Sequence, residues 1–593
     1  MNLRRWIRSK ESYKDIRGYL RTARISIPYD IYVLRAFYYG IFSALLFFAF
    51  SLSLPRLSEI PLFSFLSVFS KTPLYLISPL IGYAAYKLFL LYPKYLAVVR
   101  KTKIDLILPH AAAFCYGMSK GGTPVYEIFK ELAKSFHTYG EFSKEASFIV
   151  RDVELFGCSP VEAMKNVAET TPSEKLRDFL ENLIPMVESG GDIQRYFSVK
   201  MSQYFEHARR TQTMFLQTLE MIGEVYVVAF VAMPIFLLIT LATSGLLSIP
   251  QTPLIFNALY FGLPFGSIAF ILLLDFITPK EDLDIGFVKK VHLKRFAWVE
   301  EEGMNEEEYR RKVKEYESRK QNKKIFDIIK NPFAPLIKKP LYALCLGVLT
   351  APLLFSLESS LDKKLLLATI GFIAPLCIFY ELKMRKLIKI EKTIPDFLKR
   401  LAEINESGLT LKEAIRIVLK SRIGLLSKEV RRAWHDMELG SEMREALVRF
   451  EERVGSPALR RSITLVVKAS EMSSDMKDIL YIAASDAENM LSLRKDRVMT
   501  TFIYVATIYI SFGTFLYICY ALSMQFMTSL SKLGTQINVP ELNSMMFTTS
   551  CILGFFSGLI SGQMGEGRLL SGLKHSIIFL LATYFIFTLL MGY

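Results

Sequence analysis

The chain has 593 residues, 73 Lys and Arg against 57 Asp and Glu, and 51% hydrophobic residues. Its mean hydropathy of +0.29 beside 22% charged residues requires the two classes to be segregated along the chain. That excludes one large soluble enzyme, a disordered tail and a secreted disulfide scaffold, and the net charge of +16 leaves a nucleic-acid binder or a membrane protein with basic cytoplasmic loops.

In chain order, residues 1–35 come first, with nine Lys/Arg against Glu11, Asp15 and Asp30. No short apolar segment with a cleavage site follows, so this basic segment is expected to stay in the cytoplasm. Apolar runs long enough to span hydrocarbon lie at 36–54, 73–92, 225–248, 255–277, 341–357, 364–380, 499–522, 544–564 and 572–592. The expectation is an all-α, multi-pass plasma-membrane protein of about nine spans, with the N-terminus inside and the C-terminus outside. Its segments are 1–35, spans 1 and 2 at 36–92, a bundle at 93–213, spans 3 and 4 at 214–279 and a charged linker at 280–340. Spans 5 and 6 follow at 341–382, a second bundle at 383–498 and spans 7 to 9 at 499–593. The loops assigned outside hold only Arg56, Lys71, Lys363, Lys532 and the border residue Lys364. Topology therefore accounts for the basic excess without nucleic acid.

Both large inward segments read as bundles of about six helices. Thr123-Pro124, Ser159-Pro160 and Thr171-Pro172 each place a hydroxyl cap ahead of a proline at the first helical position. Glu162, Glu174 and, after Thr410, Glu413 complete capping boxes. Leu176, Phe179, Leu180, Leu183 and Val187 form the core stripe of one helix. In the linker, Glu306/Arg310, Glu307/Arg311 and Glu308/Lys312 support a solvated helix. This linker reads as a membrane-surface segment or as a partner-docking arm.

A shift of about 285 positions lays the first bundle on the second. Pro109 through Gly122 matches Pro395 through Gly408. Asp152, Glu154 and Leu155 match Asp436, Glu438 and Leu439. Gly157 through Met164 matches Gly440 through Leu447, aligning Glu162 with Glu445. The stretch ending at Asp192 matches Met472 through Asp475. The ordered matches argue for a diverged duplication, and Gly157, Glu162, Asp192, Gly440, Glu445 and Asp475 are its candidate functional turns.

Catalytic and ligand signals are sparse. No phosphate-binding glycine loop, His-Glu-x-x-His pair or Gly-x-Ser-x-Gly elbow occurs. Six cysteines lack metal spacing, and four of them (Cys345, Cys377, Cys519 and Cys551) fall in spans. We expect no enzyme, cofactor or metal site. Within the spans, Glu224 reads as a packing or subunit contact or as an interfacial anchor. Pro234 reads as a hinge or a packing device. Gly554, Gly558 and Gly562 form a small-residue face for close packing, either within the chain or across a dimer. Lys428, Arg431 and Arg432 form a basic run that is either a solvated face or a partner contact.

Paired helical domains with Gly-x-Ser-x-x-Glu-Ala-Met-like turns, interleaved with spans, resemble the type II secretion F-domain family. Leu20 through Ile25, Glu224 through Pro234, and Gly554 through His575 are similar to segments of its long archaeal branch, which serves type IV pili and archaella. Met472-Ser-Ser-Asp475 departs from Ser189-Gly-Gly-Asp192, and Glu442-Met443 departs from Ser159-Pro160. The resemblance implies a non-enzymatic platform that anchors a hexameric cytoplasmic secretion ATPase and couples its motion to insertion of pilin-like subunits into a filament. Lys428, Arg431 and Arg432 are then the candidate ATPase contact, and Glu224, Pro234 and the three glycines candidate pilin or packing contacts. A homodimer or small oligomer within membrane lipid is implied as well. The alternatives are a secondary transporter or channel with parallel repeats, which would need a polar pathway at the bilayer midplane, and a membrane receptor.

Overall fold

The computed structural model describes residues 14–57, 74–246, 253–278, 311–312, 314–316, 318–319, 333–358, 360–421, 424–472, 476–527 and 539–592. Among them the regular elements are helical and no strand occurs. The charged linker falls largely outside these residues, as do Glu306, Glu307, Glu308 and Arg310. The chain divides into two compact units, Met1–Phe205 with Thr464–Ala483, and Glu206–Ile463 with Ala484–Tyr593.

Unit 1 opens with α1 (Lys14–Thr22), α2 (Tyr29–Leu57) and α3 (Ser78–Lys120). The apolar hairpin of α2 and α3 closes where a Cβ on Gly82 would stand 2.8 Å from the Gly40 carbonyl oxygen. Nearby, Tyr32 Oη donates to Phe89 O at 2.9 Å. At 43 residues, α3 runs about 65 Å. One continuous helix thus supplies a membrane-length apolar segment and then the first helix of a bundle. The bundle adds α4 (Val125–Lys134), α5 (Phe136–Phe156), α6 (Pro160–Thr170), α7 (Glu174–Glu188) and the first part of α8 (Ile193–Val227).

Two of the expected caps are shifted. Helix α4 starts after Pro124, whose φ of −60° and ψ of 149° make it the cap, and Thr123 Oγ1 makes no hydrogen bond. Helix α7 is capped by Ser173 rather than Thr171, because Ser173 Oγ accepts from Leu176 N at 3.1 Å. Ser159 caps α6 as expected, accepting from Glu162 N at 3.2 Å. Leu176, Phe179, Leu180 and Leu183 are buried and Val187 is half-buried. Phe179 stacks on Phe197 at 5.9 Å, and Phe114 meets Tyr139 edge-on at 5.3 Å.

Unit 2 carries α8 onward through a π-helical turn at Val228–Ala232 into α9 (Met233–Leu246). A second π turn, Ala258–Gly262, leads into α10 (Leu263–Ile277). In both places a proline, Pro234 or Pro264, sits two residues after the turn. Proline has no N–H, and its ring collides with the carbonyl four residues back; widening that turn relieves the clash. Next come α11 (Leu344–Phe355) and α12 (Leu361–Glu391), then the second bundle's α13 (Ile394–Glu406), α14 (Leu411–Val418), α15 (Leu426–Glu438) and α16 (Met443–Val454). Helices α17 (Pro457–Ser470) and α18 (Lys477–Ala521) follow, and α19 (Val539–Glu566) and α20 (Leu573–Phe585) close the chain. Thr410 caps α14, accepting from Glu413 N at 3.3 Å.

Eight of the described helices are long and apolar enough to cross a membrane. The expected fifth span is the exception. Its apolar helix runs only Pro340–Phe355, about 24 Å at α-helical rise against ~30 Å of hydrocarbon. Lys339-Pro340 bounds it on one side and Ser356 through Glu358 on the other. It packs closely on α12: a Cβ on Gly347 would lie 2.3 Å from Phe372 O.

Helix α19 is the most enclosed, with 72% of its apolar window buried against 39% or less for the other long helices. Its hydroxyls pair with its neighbours: Tyr226 Oη donates to Ser557 Oγ at 2.6 Å, Ser544 Oγ to Asp362 Oδ2 at 3.0 Å, and Gln563 Nε2 to Asp275 Oδ1 at 3.3 Å. Where no water competes, such pairs fix rotation of one helix against another.

Within unit 1, Thr464–Ala483, from the end of α17 to the start of α18, seats on the first bundle. Thr138 and Thr464 share a 3.0 Å hydrogen bond, and Lys468 Nζ lies 2.6 Å from Glu131 Oε2. Leu465 fills the space beside Gly117, where a Cβ would meet its Cδ1 at 2.8 Å. Burial would raise the Glu131 carboxyl, but hydrogen bonds from Lys134 and Lys468 outweigh it and hold the group below its ordinary 4.5. Its stabilising contribution is therefore complete above pH 4.5 and is lost as pH falls through the lowered value. Wild-type protein should lose melting temperature over about pH 5 to 3 more steeply than Glu131→Gln. Parallel melting profiles would refute a contribution from the pair.

Candidate docking site

Each bundle turns sharply between two of its helices through a glycine in the left-handed region. In the first, α5 ends at Phe156 and Gly157 takes φ +68°, with Asp152 O accepting from Gly157 N and, at 3.1 Å, from Cys158 N. In the second, α15 ends at Glu438 and Gly440 takes φ +88°, with Asp436 O accepting from Ser441 N at 3.0 Å. A left-handed residue at this position is the usual way to release the last carbonyls of a helix, and glycine enters it without Cβ strain. The sequence matches Asp152/Asp436 and Gly157/Gly440 thus lie at corresponding helix ends closed by a left-handed glycine, with different spacing: Asp152 stands five residues before its glycine and Asp436 four, where Gly440 N donates to Met437 O.

What precedes the glycines was not singled out from sequence. Leu155 and Phe156 are 74% and 68% exposed, and Leu439 is 86% exposed. Among the described residues these are the most exposed large apolar side chains of residues 93–213 and 383–498. The signal was available, because Leu155 and Leu439 are themselves a repeat match; periodicity does not say which apolar residues face out at a helix end. Arg151 lies over the Phe156 ring at 5.6 Å. Exposed apolar side chains at corresponding corners of a duplicated domain are candidate interaction surface.

The basic run lies on α15, about two to three turns before Leu439. Lys428 and Arg431 are exposed and form no ion pair among the described residues. Arg432 is committed to Glu429 at 3.0 Å, and Asp436 to Arg453 at 3.1 Å. The three cations therefore divide into two free ones and one held within the helix. Glu162 is exposed on the first turn of α6, and Glu445 pairs with Arg449 at 2.8 Å. Asp192 accepts from Arg195 N at 2.9 Å at the start of α8. Asp475 lies outside the described residues.

In the membrane-length helices, Glu224 is exposed one turn beyond Glu220, whose Oε2 accepts from Tyr504 Oη at 3.5 Å. Pro234 is buried within unit 2. Gly558 and Gly562 face α20: added Cβ atoms would stand 2.1 Å from Ser576 N and 2.0 Å from Gly572 N. Gly554 faces the Phe512 ring at 3.0 Å. Helices α8 and α18 meet along a polar seam, with Arg209 3.6 Å from Asp496 and Gln212 Nε2 donating to Leu493 O at 2.5 Å. Among the described residues no group of three or more His, Cys, Asp or Glu side chains is placed to hold a metal ion.

An all-α, multi-pass membrane protein with a duplicated helical bundle is the class these features define. The domain of type II secretion system protein F matches residues 111–241 and again 397–523, each time taking in a bundle and the helix that runs on from it. The chain thus carries two copies of this domain, which supports a membrane platform of the type II secretion and type IV pilus-like class. An uncharacterized protein of Methanocaldococcus jannaschii is 26% identical over 520 residues, covering 85% of this chain and 82% of that protein. Flagella accessory protein J of the same organism is 27% identical over 125 residues, 20% of this chain and 22% of its own length. No solved structure matches the chain.

Proposed function

We propose that this protein anchors a hexameric cytoplasmic secretion ATPase and couples its motion to the insertion of pilin-like subunits into a type IV pilus-like filament. In this reading the N-terminus and both F-type bundles, 93–213 and 383–498, face the cytoplasm, and the C-terminus lies outside. The protein works in the lipid bilayer as a homodimer or small oligomer, without catalytic residues of its own. The similarity to flagella accessory protein J favours an archaellum or a related filament.

The single observation that carries the proposal is the pair of left-handed glycine turns at corresponding helix ends, with exposed Leu155 and Phe156 before Gly157 and exposed Leu439 before Gly440. A ring ATPase offers repeated, equivalent surfaces, and a duplicated domain offers two equivalent corners to meet them. Lys428 and Arg431 would add long-range attraction to an acidic rim. Glu224, and the face of α8 that it shares with Glu220, are the proposed contact for a pilin-like subunit, with Pro234 shaping that helix.

The test is capture of a hexameric secretion ATPase from the same organism by full-length protein in lipid nanodiscs. Saturable binding, with loss of filaments in a deletion strain, supports the platform. Absence of binding, together with substrate-dependent uptake into vesicles, would replace it with transport.

A further inference from the structure

The turn between α1 and α2 contains the only non-glycine residue among those described with a positive φ, Arg24 at +56°. Its hydrogen bonds are those of a helix-ending turn: Arg24 N donates to Arg21 O at 3.0 Å and Ile25 N to Leu20 O at 3.0 Å. Glycine is the unstrained choice at this position, because a Cβ there crowds the following carbonyl oxygen. Strain of this kind persists where the side chain has a task.

The Arg24 guanidinium lies 4.0 Å from the centroid of the Phe148 ring, and Nη2 bonds Glu145 Oε2 at 2.6 Å. Its Nε is buried and has no hydrogen-bond partner. Arg151, on α5, lies 4.8 Å from the centroid of the same ring. Both its bonds go to one oxygen, Asp152 Oδ1, at 3.0 and 2.7 Å. Arg21 completes the group and forms no ion pair among the described residues. These three arginines line a cleft of about 280 Å³ whose far wall includes Asn166 and Thr170. Asp152 and Glu169 also line it, so the lining carries three cations against two acids.

Arg24 and Arg151 each commit only part of a guanidinium to a carboxylate, Glu145 and Asp152, and the geometry of guanidinium N–H groups matches that of a phosphate. The cleft has room for several waters at about 30 Å³ each, hence for a phosphate with an attached group. Its depth suits such a ligand. Arg100, whose Nη1 donates to Thr22 O at 2.5 Å, is six residues along α3 from Lys94, where the second apolar run gives way to charge. Six residues of helix are about 9 Å, at the inner edge of a headgroup layer roughly 5–8 Å deep.

We propose that the cleft between the Arg21–Ile25 turn and α5 binds a phosphate-bearing anion through Arg21, Arg24 and Arg151, with Asn166 at its rim. The anion is either a lipid headgroup or a soluble phosphate compound; both present the same oxygens. Bound there, it ties the segment leading into the first apolar helix to the first bundle.

The test uses full-length protein and three variants, Arg21→Gln, Arg151→Gln and Arg24→Gly. The last removes the guanidinium while relieving the backbone strain, and Glu145 keeps its 2.6 Å pair with Arg100, so the variant should still fold. Calorimetric titration with inorganic pyrophosphate in detergent is one arm. Native mass spectrometry of lipid retained from phosphatidylglycerol against phosphatidylcholine nanodiscs is the other. We expect at least a tenfold loss of anion binding in each variant without a fall in melting temperature. Loss confined to pyrophosphate assigns a soluble ligand, and loss confined to retained phosphatidylglycerol assigns a headgroup. If wild type takes up neither probe selectively, or if Arg24→Gly binds as wild type does, the site is refuted.

Discussion

Replacing Gly558 or Gly562 with leucine is expected to remove the folded protein from the membrane. A Cβ at Gly558 would stand 2.1 Å from the Ser576 nitrogen and 2.3 Å from its Cα; at Gly562 it would stand 2.0 and 2.2 Å from the same atoms of Gly572. These obstacles are backbone, so no rotamer change relieves them. The helices must move apart, and with them go the bonds from Ser576 Oγ to Phe555 O at 2.8 Å and from Ser571 Oγ to Gly562 O at 3.2 Å. Overpacking alone costs about 1–3 kcal/mol. Loss of two hydrogen bonds adds roughly 1 kcal/mol each, and in lipid no hydrophobic effect re-forms the contact. Gly554→Ala should be milder, because the atoms it meets, at 3.0 to 3.3 Å, are the Phe512 ring and Phe579 Cβ. Gly513→Ala meets nothing within 4 Å and serves as the neutral control. Size-exclusion profiles and melting temperatures in mild detergent should rank them 513, 554, then 558 and 562. A monodisperse Gly558→Leu protein melting with wild type would refute the close approach of α19 and α20.

This hairpin also shows how far the sequence could be read. Apolar length marks eight helices because spanning requires it, and the four-residue spacing of Gly554, Gly558 and Gly562 marks a packing face. That spacing does not say that α20 is the helix packed on it; the partner is set by tertiary contact. The fifth apolar run forms a shorter helix than its composition suggests, because composition carries no helix ends and Lys339-Pro340 and Glu358 bound it; the proposed topology still requires it to cross. The caps at Ser159 and Thr410 were legible because hydroxyl, spacing and acid agree locally. At Thr171-Pro172-Ser173-Glu174 two hydroxyls compete, and the structure chooses Ser173. The same limit governs the candidate site. Sequence located the repeated turns through Asp152/Asp436 and Gly157/Gly440, but the outward direction of Leu155, Phe156 and Leu439 depends on where each helix ends. It located the basic run too, yet Arg432 is held by Glu429, three residues earlier, and Arg453 reaches across from α16 to Glu429 and Asp436.

Leu155→Asp combined with Leu439→Asp should abolish measurable ATPase capture while leaving the platform folded. Both leucines are already in solvent, at 74% and 86% exposure, so folding loses no buried apolar area when they change. Docking would bury them, and each fully buried leucine contributes about 1.5–3 kcal/mol. That is roughly one to two decades of affinity per corner at 1.4 kcal/mol per decade. If the two corners engage equivalent surfaces of one ring, each single variant retains one contact and loses the avidity of the pair. The single variants should then weaken capture by ten- to a hundredfold, and the double variant should fall to background. Arg431→Glu acts differently: an exposed rim charge alters the association rate and its salt dependence more than the dissociation rate. Slower association with an unchanged off-rate is the expected kinetic signature on immobilised nanodiscs. Wild-type capture by the double leucine variant would remove the turns from the docking site and leave the basic face of α15 as its remaining support. A double variant that binds normally but fails to assemble filaments would instead place the two corners at a later step, after the ATPase has docked.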